Sequence, residues 1–176
     1  MIIYKYWTFQ KATINQEDLH LKLAIISFYL AIFLLALSTA TTASSVVINE
    51  MEPNPSEGGA DWVELFNSGN ESVDISGWTA TITDGSWIGK FPPVPNGTII
   101  EAGGFFVLNG QSSWNHENGG FATLYSASGE KVDETPFRQD LMDNDFTYGR
   151  HPDGHDSNTD GDWGLGYATK GRTNNR

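Results

Sequence analysis

The residues best suited to chemistry in this chain lie late in it, in the run Asp156-Ser-Asn-Thr-Asp-Gly-Asp162. Asp156, Asn158 and Asp160 occupy alternate positions, Gly161 follows, and Asp162 adds a further oxygen-bearing side chain. Hard oxygen ligands at that spacing, with a glycine to permit a sharp bend, are how a calcium loop gathers its ion. Two features count against a full loop of this kind. The twelfth position is Tyr167, where a bidentate glutamate would stand, and the flanking sequence has no helical pattern. A solvated Asp/Asn turn has the same composition and holds no ion.

Other groups give weaker signals. His151 and His155 are four apart beside Asp153 and Asp156, but Pro152 and Gly154 forbid the helix that would bring the two imidazoles together. His116 beside Glu117 reads as solvated. Glu50 and Glu64 are a carboxylate pair of the type a glycosidase uses, yet scaffold or surface positions in strands explain them equally well. Neither a Gly-x-Ser-x-Gly elbow nor a His-Glu-x-x-His motif occurs, and with no cysteine there is no thiol nucleophile, thiolate metal site or disulfide. No catalytic residue is assigned and the expectation is a protein that is not an enzyme, with calcium as the one candidate cofactor. Asn70-Glu-Ser72 and Asn96-Gly-Thr98 are glycosylation sequons, both in turn-forming sequence.

The elements that must position these groups follow from composition. All 19 glycines and 7 prolines of the 176 residues lie after Ala43, and a punctuated region of this size makes one domain. Beyond Ala43, 7 basic residues stand against 20 acidic ones, a balance of −13. That surface repels phosphate backbones and anionic lipid heads, which excludes nucleic acid as a partner. Residues 1–43 differ in kind. Lys5, Lys11 and Lys22 precede an apolar run from Leu23 to Leu37, and small residues end at Ala43. The pattern predicts a signal peptide cleaved after Ala43, or an uncleaved anchor over Leu23–Ala43; either leaves residues 44–176 outside the membrane, touching it only through the N-terminal segment.

From Ser45 onward, short apolar runs alternate with turn residues. Strands are expected over Val46–Met51, Trp62–Asn67, Trp78–Thr83, Thr98–Ile100, Phe105–Leu108, Ala122–Tyr125, Lys131–Glu134 and Phe146–Arg150, with one helical turn near Gln139–Asn144. Their spacing suits two packed antiparallel sheets. Asp61–Trp78 reads as strand, tight turn and returning strand, a chain folding back on itself. Within it Val63, Leu65 and Asn67 share one face, expected inward, and Trp62, Glu64 and Phe66 share the other. That second face is a candidate partner surface unless neighbouring loops cover it.

Several stretches together resemble the lamin tail domain, an immunoglobulin-like module of nuclear lamins and, in a prokaryotic branch, of many secreted proteins. They are Val46–Pro55 (VVINEMEPNP), Asp61–Trp78, Phe91–Leu108, Ala122–Asp133 and Tyr148–Gly154. The closing TKGRTN, with Lys170 where the family has proline, extends the likeness to about Asn174. The resemblance implies an immunoglobulin-like antiparallel β-sandwich, a polar bracing role for Asn49 and Glu50, and use as an adhesive or accessory module without a shared catalytic site. The resulting expectation is an extracytoplasmic binding or structural module that contacts a protein or glycan at the cell surface. The rival expectations are a calcium-dependent adhesion module of the envelope and the accessory domain of a secreted hydrolase.

Overall fold

The computed structural model describes residues 15–36, 44–111, 119–139, 141–142 and 144–174. The expected cleavage point at Ala43, Trp114, His116 and part of the helical turn expected near Gln139–Asn144 lie outside these residues. The chain divides into two units, Met1–Ala43 and Ser44–Arg176.

In the first unit, α1 runs Gln16–Ala36, with Glu17 and Asp18 in its first turn, where carboxylates complement the helix dipole. The segment Leu23–Ala43, expected as a signal peptide or an anchor, runs past Ala36 and so lies partly outside the described residues. Among the described residues no helix is long and apolar enough to cross a membrane.

The second unit is a sandwich of two antiparallel sheets. The larger is built from β1 (Val46–Glu52), β2 (Trp62–Asn67), β7 (Phe105–Asn109), β10 (Phe146–Arg150) and β11 (Trp163–Tyr167), in the order β11-β10-β1-β2-β7. The smaller has β4 (Thr79–Asp84), β5 (Trp87–Lys90), β8 (Gly120–Tyr125) and β9 (Lys131–Glu134), in the order β5-β4-β8-β9. A short ladder joins β3 (Val73–Asp74) to β6 (Ile99–Ile100). Strand alternation sends Val46, Ile48, Val63, Leu65 and Leu108 of one sheet against Ala80, Ile82, Ala122 and Leu124 of the other, and Ile75, Phe91, Val94 and Ile100 close the core.

Asp61–Trp78 does not fold back as a hairpin. β2 pairs with β1 and β7, while β3 pairs with β6. The turn residues after β2 make a crossing instead, and Asn67 fixes it. Its buried amide nitrogen donates to the Glu71 and Ile100 carbonyls at 2.7 and 3.0 Å, and its amide oxygen accepts from Gly69 N–H at 3.0 Å. A tight hairpin would leave those carbonyls to other partners. The β4–β5 connection is a true hairpin, its turn made by Gly85 at φ 59°.

Pairing of β1 with β2 shifts between Ile48 and Glu50, so Asn49 is the extra residue of a bulge. Ahead of the bulge Ile48 points into the core, and beyond it Met51 does. Asn49 and Glu50 are thereby turned to the outer side of the sheet, where the functional question lies.

Candidate functional site

The outer side of β1, β2 and β10 carries polar side chains that water does not reach. Asn49, Glu50, Glu64, Thr147, Thr169 and Asn174 are all buried. Two turns lie over them. Asp153 and Gly154 come from the turn after β10: Asn49 Nδ2 donates to Asp153 Oδ1 at 3.1 Å and Gly154 N–H donates to Asn49 Oδ1 at 2.9 Å. The second turn spans residues 169–174. Asn174 Nδ2 donates to the carbonyls of Asn49 and Arg150 at 3.0 and 2.9 Å, and its N–H donates to Asp153 Oδ1 at 3.0 Å. Gly149 makes room for this contact, since a Cβ there would stand 2.7 Å from Asn174 Nδ2.

Each buried carboxylate is met by donors. Glu50 accepts from Thr147 Oγ1 at 2.5 Å and from Thr169 N–H and Oγ1, both at 2.9 Å. Glu64 accepts from Asn49 Nδ2 at 3.3 Å and from Gly171 N–H. Removal from water pushes both carboxyls up despite these donors; Glu64 reaches about 7. A cavity of about 10 Å³ beside Glu50 and Thr169 has room for one water. The Asn49–Glu50 bracing implied by the resemblance is therefore present, and it ties the first strand to the chain's last turn.

Trp62, Glu64 and Phe66 do not form an exposed face. Trp62 retains 4% of its surface and Glu64 none. Strand alternation places them opposite the core, as expected, but the two late turns cover them. Lys170 Nζ sits 5.0 Å above the Trp62 ring while donating to Asn109 Oδ1 at 2.7 Å. Phe66 packs on Phe105 at 4.9 Å between ring centres, with Gly154 so close that a Cβ there would stand 2.6 Å from its ring.

The Asp156–Asp162 loop gathers around cations the protein already owns. Arg150, buried between the sheets, donates to Asp156 Oδ1 at 2.9 Å and Asp133 Oδ2 at 3.0 Å, and Asp162 Oδ2 lies 3.6 Å from the same guanidinium. Its Nε holds the Ile48 carbonyl at 2.7 Å, and the Trp163 ring stacks 4.8 Å away. Asp160 pairs instead with Arg138 at 3.2 Å. Ser157, through its hydroxyl at 2.6 Å and N–H at 2.8 Å, holds the Asp162 carboxyl down at about 2. Asn158, at φ 57°, lends its N–H to Asp156. Of the four calcium candidates, Asp156 and Asp162 thus share Arg150 while Asp160 faces Arg138, and among the described residues no group of three or more His, Asp or Glu side chains is placed to hold a metal ion. His151 is exposed, and His155 Nε2 lies 3.4 Å from Asp162 Oδ1.

Sequence reasoning missed Arg150, the hub of this cluster. Its signal was a lone arginine ending a strand in an acidic domain. Asn70 and Asn96 are exposed, each in a turn. Large apolar side chains are exposed at the outermost strands of both sheets, Ile88 on β5 and Leu165 and Tyr167 on β11.

No curated protein matches the chain significantly. The family model described as Lamin Tail Domain matches residues 39–138, from ahead of β1 through β9. β10, β11 and the closing turn complete the larger sheet beyond that match. Since the match spans more than half of the 176 residues, the chain belongs to the lamin tail domain family.

Proposed function

We propose that residues 44–176 form a non-catalytic, extracytoplasmic module that holds a protein or glycan at the cell surface. The observation that carries this reading is where the chemistry-bearing side chains are spent. Glu50, Glu64, Asp133, Asp156 and Asp162 are engaged by donors of the fold itself. What the module offers to the outside is apolar surface, on its edge strands at Ile88, Leu165 and Tyr167 and elsewhere at Ile99, Phe137, Leu141 and Met142. Exposed apolar groups on an otherwise acidic surface are contact material rather than reactive groups. The placement outside the membrane rests on the three lysines ahead of the apolar N-terminal run.

Capture from native envelope by the full chain, with and without a chelator, tests the proposal. A partner retained in chelator supports it. Retention only with calcium would favour a calcium-dependent adhesion module, and turnover in a broad hydrolase screen would overturn the non-catalytic reading.

A further inference from the structure

We infer that β11 is a docking edge for an extended, cationic segment of a partner protein, which adds to the larger sheet as a sixth strand. The inference names the partner class for the binding module proposed above and rests on that reading.

Hydrogen-bond alternation sets what the edge presents. Ala168 N–H donates to the Asp145 carbonyl at 2.9 Å and His151 N–H to the Asp162 carbonyl at 2.8 Å. With the register Phe146↔Tyr167, Tyr148↔Leu165, Arg150↔Trp163, the bonded pairs are those through Gly164 and Gly166. Leu165 and Tyr167 therefore aim their own N–H and C=O away from β10. β11 ends the sheet, and no described strand pairs with it on that side. Two residues thus offer an incoming strand two donors and two acceptors at ladder spacing.

Side chains add to the backbone offer. Leu165 is 57% and Tyr167 71% exposed, and Tyr167 is braced by the Phe146 ring at 4.4 Å between centres. Exposed edges are usually blunted with charge or proline. β5 carries Lys90, and β9 carries Lys131 and Glu134; Trp163-Gly-Leu-Gly-Tyr167, like β7, has neither charge nor proline, and unlike β7 it exposes large apolar side chains. Carboxylates flank it at both ends: Asp160, which pairs with Arg138 yet stays 81% exposed at its side chain, leads into the strand, and exposed Asp145, which accepts from Ser56 Oγ, lies where the strand leaves. Such an edge fits apolar residues opposite Leu165 and Tyr167 with Lys or Arg beyond them. The −13 balance of the domain opposes a second copy in the same place.

The test is fluorescence anisotropy with the full chain in mild detergent and a labelled peptide alternating Val and Thr between lysine pairs. Saturable, salt-sensitive binding is expected, with the glutamate-flanked counterpart about tenfold weaker or worse. Leu165→Lys should weaken binding about tenfold by placing a cation on the edge. Leu165→Pro should do the same, since it removes an N–H that β10 does not use. Absence of saturable binding, equal binding of both peptides, or binding unmoved in variants with unchanged melting temperature would overturn the inference. So would a dimer of the full chain that Leu165→Lys converts to monomer. Envelope capture that succeeds while the peptide fails overturns only the edge assignment; peptide binding without any envelope partner removes only the surface role.

Discussion

Glu50 and Glu64 stand directly opposite each other on β1 and β2, both facing the outer side of the sheet and both shut off from water by the chain's last turn. Opposed like charges destabilise a ladder, and burial raises the cost of each. The pair is tolerated because Thr147, Thr169, Asn49 and Gly171 supply donors, and because Glu64 takes up a proton near pH 7.

That protonation predicts a pH dependence. A carboxyl whose folded value lies above its unfolded one stabilises fully below about 4.5, and the contribution is lost as pH rises through about 7. Glu50 is shifted in the same direction. Urea unfolding of the wild-type chain should show stability falling between pH 5 and pH 8, by at most about 3 kcal/mol from Glu64. In Glu64→Gln the slope should shrink, and an unchanged slope would show that Glu64 is ionised throughout.

Arg150 is predicted to be the most sensitive residue of the sandwich. Arg150→Met leaves Asp133 buried without its guanidinium and should cost about 3–5 kcal/mol. Arg150→Lys should rescue little, because one ammonium cannot reach Ile48, His155, Asp156 and Asp133 together. Adding Asp133→Asn to Arg150→Met should recover part of the loss, a coupling that a double-mutant cycle in urea reads directly.

Trp62 and Phe66 give a test of the covered face. Trp62→Ala should lower stability by about 3–5 kcal/mol, as a core truncation does. Gly154→Ala should also destabilise, since Gly154 has φ 67° and touches the Phe66 ring. Melting temperatures equal to wild type would place both residues on open surface.

Calcium is predicted to leave the melting temperature unchanged, because Asp156, Asp160 and Asp162 already face Arg150 and Arg138. A rise of several degrees at millimolar calcium, lost in Asp160→Ala, would show that the loop reopens around the ion.

Asn70 and Asn96 are predicted to carry glycans in a host with the machinery, both being exposed in turns. Intact mass of native material equal to the bare polypeptide would refute this.

The sandwich was legible because its central strands obey a strict period of two: Val63 and Leu65 could only be core in a strand. β11 was not, because Gly164 and Gly166 break the apolar pattern and read as turn residues, although in the strand they point to the outer side. The crossing after β2 reads as a hairpin in sequence since Ser68-Gly69-Asn70 suits either path, and only the bonds of Asn67 separate them. Alternation also fixed which side of β2 Trp62, Glu64 and Phe66 occupy. It could not show that side to be covered, because the cover comes from residues about a hundred positions later. Arg150 escaped notice for the same reason, its partners lying in four separate segments.

The grip of Asn174 on Asn49 has a consequence for how the protein is made. Strands paired early in synthesis hold their outer polar stripe open to water until the last turn arrives. A chain that stops before Thr169 leaves Glu50 and Glu64 without the Thr169 and Gly171 donors and the Trp62 ring without Lys170. Residues 169–174 thus serve as a latch that closes the outer stripe of the larger sheet.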